Sequence, residues 1–167
     1  ICEMKNLKYA IEILSKLENR IQFDIYGILE DKKYWDECKA LLEQLSENIV
    51  WEYKGMVDSK KVIETFSKYD VFLFPTKGEN YGHVIFEALA GGCIPIISDQ
   101  TPWNDIEQAG CGKVISLSNQ RRYIETLQNM ASLDHGSIIE IKRIAHQYAR
   151  EKYEESTKNT GYLEIFR

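Results

Sequence analysis

Short apolar runs alternate with amphipathic segments along most of the chain, and the two patterns predict different elements. Apolar, β-branched and aromatic residues fill five of the runs, as in the buried strands of a parallel sheet. These predicted strands span residues 21–28, 49–56, 71–76, 94–98 and 113–117. Between them, apolar residues recur at helical spacing. The predicted helices span residues 7–18, 31–45, 59–66, 83–90, 120–131 and 137–153, and a tail helix covers residues 155–167.

Strands that alternate with helices predict an α/β fold built on a doubly wound parallel sheet. Ligands of such sheets bind at the carboxyl ends of the strands. The loop after residues 71–76 and the segment 100–104 both fall on that edge, so we expect them to share one site. A chain of 167 residues is the right size for one domain, so residues 1–167 are expected to form a single unit.

Composition narrows the class of protein without identifying a ligand. Hydrophobic residues make up 44% of the chain and charged residues 28%, which is ordinary for a soluble globular domain. The net charge of −5 argues against general nucleic-acid binding, which needs a basic face. The sequence has no apolar run of transmembrane length and no visible signal peptide, and it opens on Ile1. We therefore expect a cytoplasmic fragment of a longer protein.

The four cysteines, Cys2, Cys38, Cys93 and Cys111, show no C-x-x-C spacing and fall in different predicted elements. A disulfide framework is not expected in a domain of this size with an ordinary core. The three histidines are scattered and complete no metal-ligand pattern. We therefore expect reduced thiols and no metal site.

The most informative stretch, residues 71–99, is predicted to form a strand, a loop, a helix and a second strand. Its two notable carboxylates are Glu79 in the loop and Glu87 in the helix. Helical side chains lean toward the N-terminus of the helix, so Glu87 should point toward the loop. The first N–H groups of the helix are unpaired and carry partial positive charge. Two hydroxyl-accepting carboxylates beside such an anion site suit a sugar nucleotide, which has a diphosphate, a ribose diol and a hexose.

The segment Glu79-Asn80-Tyr81-Gly82, followed by Glu87-Ala88-Leu89-Ala90, Gly92 and Pro95, resembles the E-x7-E signature of family 4 glycosyltransferases. That signature is close to E-G-F-G-x-x-x-x-E-A-M-A-x-G-x-P-V-I, and the match has no gap. The resemblance extends over nearly the whole chain and is most specific in residues 71–99. It implies the Rossmann-like C-terminal domain of a two-domain GT-B enzyme, with the N-terminal acceptor domain absent from this chain.

The resemblance also implies an activity. Such enzymes transfer a glycosyl unit with retention from a nucleoside diphosphate sugar to an acceptor hydroxyl, without a required metal or cofactor. We therefore expect a retaining hexosyltransferase of bacterial polysaccharide or glycolipid assembly, with this fragment inactive by itself. Its partners would be the nucleotide-sugar donor and the missing N-terminal domain. The full-length protein would associate peripherally with the inner face of the plasma membrane.

Roles for individual residues follow from the same resemblance. Lys5 would grip the donor diphosphate, together with an arginine that would fall immediately before Ile1. Glu79 would hold hexose hydroxyls and stabilise positive charge at the sugar ring, and Glu87 would bind the ribose diol. The other substrate-binding candidates are Gly27, Val57, Asn80, Tyr81, Gly82 and His83. Among these, the backbone near Val57 would face the nucleobase.

Several of these residues also have a plain structural interpretation. Lys5 could be a solvated lysine at a helix start, and Gly27 an ordinary strand end. His83 could be a helix-start side chain packed on a loop, and Tyr81 a core aromatic. Outside the motif, Trp103 could either stack on an acceptor or plug the loop in which it lies.

Departures from the family's usual pattern leave other functions open. Asn80 stands where glycine is common, which is acceptable if it takes a left-handed backbone angle. Residues 100–104 replace a usual Gly-Gly segment. The alternatives are a catalytically inactive Rossmann-like nucleotide-binding or regulatory domain, a nucleotide-sugar epimerase and a receiver-like signalling domain. The receiver-like reading needs an acidic cluster, whereas Asp24 has no acidic partner beside it.

Overall fold

Five parallel strands carry the fold in the computed structural model, which describes residues 1–159. The strands are β1 (Ile21–Tyr26), β2 (Ile49–Gly55), β3 (Val71–Phe74), β4 (Ile94–Ser98) and β5 (Lys113–Ile115). The helices in these residues are α1 (Leu7–Leu14), α2 (Lys32–Leu42), α3 (Val62–Phe66), α4 (His83–Ala90), α5 (Gln120–Ala131) and α6 (His135–Asn159). Short 3-10 turns lie at Glu3–Lys5 and Ser59–Lys61. The alternation of strands and helices predicted from the hydrophobic pattern is confirmed.

The strands form two parallel sheets rather than one continuous sheet. In the first sheet β1 pairs with β2, and Ile21 lies opposite Ile49. In the second sheet β4 lies between β3 and β5, and Val71 of β3 lies opposite Ile94 of β4. The predicted α/β fold with parallel strands is confirmed. The division into two sheets is a feature that the hydrophobic pattern did not indicate.

Helix α1 packs across both sheets and joins their cores. Its buried residues Ile13 and Leu14 share one cluster with Ile49 of β2, Ile96 of β4 and Ile115 of β5. Burial of apolar surface is the main favourable term in folding. Because this single cluster takes side chains from both sheets, its burial holds the sheets side by side.

A polar contact reinforces this junction on β1. Tyr69, just before β3, donates its hydroxyl to Asp24 Oδ2 at 2.6 Å, and the Tyr26 hydroxyl lies 2.7 Å from the Tyr69 hydroxyl. The Asp24 side chain is only 8% exposed and also accepts from the Gln22 amide at 2.6 Å. The contact therefore fixes β1 beside the start of β3.

Strand β4 is buried along its whole length and separates two layers of helices. Successive strand residues point to opposite faces of a sheet. Accordingly, Ile96 joins the α1 cluster, whereas Ile97 joins a second cluster with Ile85 of α4 and Ala145 of α6. This second cluster packs helix α4 between the sheet and α6.

Several helix boundaries differ from the sequence predictions, and α1 and α6 show two of the differences. Helix α1 ends at Leu14 rather than near residue 18, although Leu17 stays buried in the turn that follows. Helix α6 runs without a break to Asn159, so the predicted separation between helices at 137–153 and 155–167 is wrong for the described residues. The remainder of the predicted tail helix lies outside them.

We predict that Tyr69→Phe lowers the free energy of unfolding by about 1–2 kcal/mol, because it leaves a mostly buried carboxylate without one of its donors. Urea denaturation at neutral pH measures this change. Tyr153→Phe is the matched control, because Tyr153 is 60% exposed and should change stability by less than about 0.5 kcal/mol. Equal effects of the two substitutions would contradict the assigned role of the Tyr69 hydroxyl.

Candidate functional site

The loop between β3 and α4 forms the centre of the candidate site. The loop enters α4 through Gly82, whose φ of 69° is a left-handed angle that favours glycine. A Cβ atom at this position would also lie 2.5 Å from Nε1 of Trp103, so only glycine fits without displacement. No side chain caps the helix start. The first N–H groups of α4 and the positive end of its dipole are therefore available to an anion.

Asn80 does not supply the left-handed turn that the sequence suggested. Among residues 1–159, Asn6 is the only non-glycine residue with a positive φ. The explanation offered for Asn80 is therefore wrong, because the chain reverses at Gly82 instead. Asn80 is exposed, and its backbone N–H donates to Oε1 of Glu79 at 3.1 Å.

Glu79 lies at the meeting point of a cation and two backbone donors. Its Oε2 atom is 2.7 Å from Nζ of Lys5. Its Oε1 atom accepts from the N–H groups of Asn80 at 3.1 Å and Gly82 at 3.4 Å. The Lys5 ammonium, helped by the Gly82 amide, lowers the pKa of Glu79 against the opposing effect of its partial burial. Glu79 is therefore ionised at neutral pH.

Lys5 reaches Glu79 because the N-terminal segment is tied to the end of β3. The carbonyl of Met4 accepts from the Thr76 hydroxyl at 3.0 Å and from the Lys77 N–H at 2.9 Å. The side-chain amide of Asn6 donates to the carbonyl of Pro75 at 2.9 Å. These bonds bring together two segments about seventy residues apart and so place Lys5 beside Glu79.

Glu87 lies in a different environment, within α4. It is half-buried, and within residues 1–159 its carboxylate makes no hydrogen bond or ion pair. Burial raises the pKa of Glu87, and His83, one helical turn earlier, partly offsets this rise. The two carboxylates of the motif therefore have pKa values displaced in opposite directions.

Tyr81 and His83 form an exposed aromatic pair at the start of α4. Their rings stack with centroids 5.8 Å apart and planes at 15°. Tyr81 is 74% exposed, so the interpretation of this residue as a core aromatic is wrong. Its ring is free to line a ligand site.

Gly27 and Val57 lie apart from the Glu79 cluster. The N–H of Gly27 donates to the carbonyl of Gly55 at 2.8 Å, and its own carbonyl accepts from the Tyr53 hydroxyl at 2.8 Å. Val57 is half-buried just after β2. Both residues follow the carboxyl ends of parallel strands, the edge that also carries the β3–α4 loop. Among the described residues, no hydrogen bond or ion pair joins either of them to Glu79 or Glu87.

Trp103 adjoins the motif loop, although it was not among the substrate-binding candidates. Its indole N–H donates to the carbonyl of Tyr81 at 3.0 Å, and its ring packs on Phe86 and Tyr148. The plug interpretation of Trp103 is thus confirmed. The sequence alone could not place Trp103 beside the motif, because that requires knowing that the loop after β4 packs against Gly82.

A shallow depression of about 420 Å³ borders the loop on the Trp103 side. Its lining residues are Tyr81, Pro102, Trp103, Asn104, Asp105, Tyr148 and Lys152. Asp105 and Lys152 form an ion pair there at 2.9 Å. The depression does not include Lys5, Glu79 or Glu87, so it adjoins the carboxylate cluster without containing it.

Within residues 1–159, no group of three or more His, Cys, Asp or Glu side chains is placed to hold a metal ion. In the same part of the chain, no helix combines the length and apolar character needed to cross a membrane.

Comparison with known proteins assigns a family. The family model described as glycosyl transferases group 1 matches residues 1–151. The chain belongs to this family. The family predicted from the E-x7-E resemblance is therefore confirmed, and the receiver-like alternative is wrong. A curated relative of this group 1 glycosyl transferase chain is an uncharacterized 41.2 kDa protein in the cps region of Klebsiella pneumoniae, 22% identical over 169 residues.

Solved structures share the fold of this group 1 chain. WaaG, a glycosyltransferase involved in lipopolysaccharide biosynthesis, is 23% identical with a TM-score of 0.71, over 88% of this chain and 40% of that protein. Anabaena HepE, solved with UDP and glucose, is 15% identical with a TM-score of 0.82, over 99% of this chain and 45% of that protein. A mutant of S. aureus TarM, solved in a complex that includes UDP, is 18% identical with a TM-score of 0.80, over 100% and 34%.

These proteins are longer than the chain described here. The match to the K. pneumoniae relative includes 99% of this chain but only 43% of the relative's length. The match to WaaG likewise includes less than half of WaaG. The predicted Rossmann-like fold of the C-terminal half of a GT-B glycosyltransferase agrees with these matches.

We predict that Gly82→Ala destabilises the protein more than Gly110→Ala. Both glycines have φ near 70°, so both substitutions carry the cost of a left-handed alanine. Gly110 has open space where a Cβ would go, whereas Gly82 faces the Trp103 ring. The difference in free energy of unfolding should be about 1–3 kcal/mol, the typical cost of overpacking. Denaturant titration checks this, and equal losses would contradict the close packing at Gly82.

We further predict that Glu79→Gln and Glu87→Gln change thermal stability at pH 7 in opposite directions. The pKa of Glu79 is lower in the folded protein than in the unfolded chain. The ionised Glu79 therefore stabilises the fold when the pH is above the unfolded-chain pKa, and this stabilisation is lost as the pH falls through the folded-state pKa. The pKa of Glu87 is higher in the folded protein than in the unfolded chain. The ionised Glu87 therefore destabilises the fold when the pH is above the folded-state pKa, and this penalty is relieved as the pH falls toward the unfolded-chain pKa.

Calorimetry at pH 7 and near pH 4 measures both effects. Glu79→Gln should melt below the wild type at pH 7, and Glu87→Gln above it. Both differences should shrink near pH 4. Changes of the same sign at pH 7 would contradict the opposite environments of the two carboxylates.

Proposed function

We propose that this chain is the donor-binding half of a retaining hexosyltransferase. It binds a nucleoside diphosphate sugar, whose hexosyl unit passes to an acceptor hydroxyl in bacterial polysaccharide or glycolipid assembly. The observation that carries the proposal is the convergence of Lys5, Glu79 and the uncapped start of α4 on one edge of the sheets. The reaction uses no metal and no cofactor.

The chemistry follows from where charge develops. As the glycosidic bond of the donor breaks, negative charge builds on the departing diphosphate. The Lys5 ammonium and the first N–H groups of α4 are the positive groups available to stabilise it. Positive charge develops at the sugar ring, and the ionised Glu79 carboxylate both stabilises that charge and accepts bonds from hexose hydroxyls.

Glu87 is assigned to the ribose. Its carboxylate accepts no bond from the described part of the protein, so its oxygens are available to a diol. Gly27 and Val57 lie at the same edge but on the other sheet, where they contact the phosphates and the nucleobase through the backbone. Tyr81 and His83 line the hexose side, with Asn80 at the loop tip.

The Lys5–Glu79 ion pair supports the donor assignment. In the absence of a ligand the two charges neutralise each other at 2.7 Å. A donor supplies a partner for each, because its phosphates are anionic and its sugar hydroxyls donate hydrogen bonds. The pair is therefore exchanged for ligand contacts without leaving either charge unpaired.

HepE and TarM were solved with UDP, which supports a nucleoside diphosphate as the ligand. WaaG and the K. pneumoniae cps-region protein support a place in surface polysaccharide or lipopolysaccharide synthesis. We place the protein in the cytoplasm, with the full-length enzyme associated with the inner face of the plasma membrane.

The split sheet supports the proposal that further chain completes the protein. The strand order is β2–β1 in one sheet and β3–β4–β5 in the other, and no backbone pairing joins β1 to β3 in the described residues. In the Rossmann order 3-2-1-4-5-6, strands 3-2 correspond to β2–β1 and strands 4-5-6 to β3–β4–β5. Strand 1 of that order lies between them and has no counterpart among the described residues. We propose that a parallel strand of the full-length protein fills this position, and that an N-terminal domain supplies the acceptor site.

Calorimetric titration with UDP, GDP, ADP and their glucose conjugates tests the donor assignment. Lys5→Met removes a charged hydrogen bond worth about 1.5–3 kcal/mol, so affinity should fall by about tenfold or more. Lys16→Met is the matched control, because Lys16 is an exposed lysine in the turn after α1, at the opposite end of that helix from Lys5. The control should bind like the wild type.

The outcomes separate the hypotheses. Binding of one nucleotide that weakens only in Lys5→Met supports the donor site and identifies the base. No binding of any nucleotide, or equal binding by both variants, argues against it. Glycosyl transfer by this chain alone would contradict the two-domain proposal.

A further inference from the structure

Trp103 lies outside the E-x7-E motif but contacts its loop at two adjacent points. The indole N–H donates to the carbonyl of Tyr81 at 3.0 Å. The same edge of the ring faces Gly82 so closely that a Cβ there would lie 2.5 Å from Nε1. Trp103 is therefore bonded to the carbonyl of the Tyr81–Gly82 peptide and packed against the α-carbon of Gly82.

The geometry of a peptide group extends this contact to Glu79. No cis peptide bond is present in the described residues, so the Tyr81–Gly82 peptide is trans. In a planar trans peptide the carbonyl and the N–H point in opposite directions. With the carbonyl directed at Trp103, the N–H of Gly82 is directed to the other side, where it donates to Oε1 of Glu79 at 3.4 Å.

The loop that carries Trp103 also holds the other end of the motif. The backbone N–H of Glu79 donates to the carbonyl of Gln100 at 3.1 Å. Trp103 itself is fixed by ring contacts with Phe86 of α4 at 6.3 Å and Tyr148 of α6 at 6.5 Å. The segment after β4 therefore clamps the motif loop at both ends and is itself braced by two helices.

We propose that Trp103 is a positioning residue for the donor site. Its indole N–H orients the Tyr81–Gly82 peptide, which in turn aims the Glu79 carboxylate and the first N–H groups of α4 at the ligand. The part of the proposal that concerns the donor rests on the function proposed above. The orientation of Glu79 by Trp103 does not, because it is a property of the free protein.

Trp103→Phe tests the orientation directly, because it removes the N–H donor and keeps an aromatic ring. Trp51→Phe is the matched control, since Trp51 packs in the separate α2 cluster. The measurement is the pKa of the Glu79 carboxyl by ¹³C NMR titration, with Glu79→Gln used to assign the signal. Loss of a weak bond to a carboxylate should raise that pKa by about 0.5 in Trp103→Phe, and Trp51→Phe should leave it unchanged.

A measurement on the wild type covers the case in which Trp103→Phe does not fold. If the indole, the peptide and Glu79 form one connected unit, the Nε1–H resonance of Trp103 should shift with pH along the Glu79 titration. This shift should vanish in Glu79→Gln. An indole resonance that ignores the Glu79 titration, or an unchanged Glu79 pKa in Trp103→Phe, would overturn the proposal.

Nucleotide titration then separates the two proposals. If the wild type binds a nucleoside diphosphate sugar, Trp103→Phe should weaken that binding by about three- to tenfold, whereas Trp51→Phe should not. Wild-type levels of binding in Trp103→Phe would overturn a role for Trp103 in the donor site. A shifted Glu79 pKa in a protein that binds no nucleotide would retain the orientation by Trp103 and refute the proposed function.

Discussion

The candidate site depends on the bonds that tie the N-terminal segment to the end of β3. The Met4 carbonyl accepts from both the Thr76 hydroxyl and the Lys77 N–H, and the Asn6 amide donates to Pro75. These bonds satisfy polar groups that would otherwise be left unpaired beside two buried residues. They also fix the direction of Lys5. Without them the motif loop would have its carboxylate but no cation beside it.

The same constraint explains why the two motif glutamates differ. Glu79 lies where the two segments meet, so it has the Lys5 ammonium and two backbone N–H groups. Glu87 lies on the body of α4, where the first-turn donors are out of reach and burial dominates. One sequence spacing thus produces two carboxylates of different chemistry. This difference suits a ligand that has a charged centre at one end and neutral hydroxyls at the other.

Much of the fold could be predicted because local signals and packing agree. Strand β4 was predicted with its observed bounds, since an apolar run without polar interruption is typical of a central strand. Helix α2 lies within the predicted span 31–45, and Asp31 caps its start by accepting from the Tyr34 N–H. Helix α4 has its predicted bounds, residues 83–90, and Gly92 follows its end with a left-handed φ of 68°. The family signature singled out Glu79, a separate segment of the resemblance singled out Lys5, and the structure places the two charged groups 2.7 Å apart.

The rest depended on tertiary contacts that no local pattern encodes. Asn80 and Gly82 are both turn formers, but Gly82 takes the left-handed angle, and the close approach of Trp103 leaves no room for a side chain there. The separation of β1 from β3 depends on strand pairing across the whole sheet. For the same reason, Tyr81 could not be assigned to core or surface from its type alone.

The packing around Gly82 also bears on how the site would act. A transition state is best stabilised by dipoles that are already oriented before the reaction, because then no reorganisation is needed when charge develops. The motif loop has little freedom. Gly82 lies at the helix start, the Trp103 indole is bonded to the preceding carbonyl, and the Glu79 N–H donates to the Gln100 carbonyl. The side chains of Lys5, which is 44% exposed, and of Tyr81, which is 74% exposed, lie instead at the solvent-facing rim of the site. The donors at the helix start are thus preorganised, and under the proposed function adjustment to different sugars would fall to side chains at the rim.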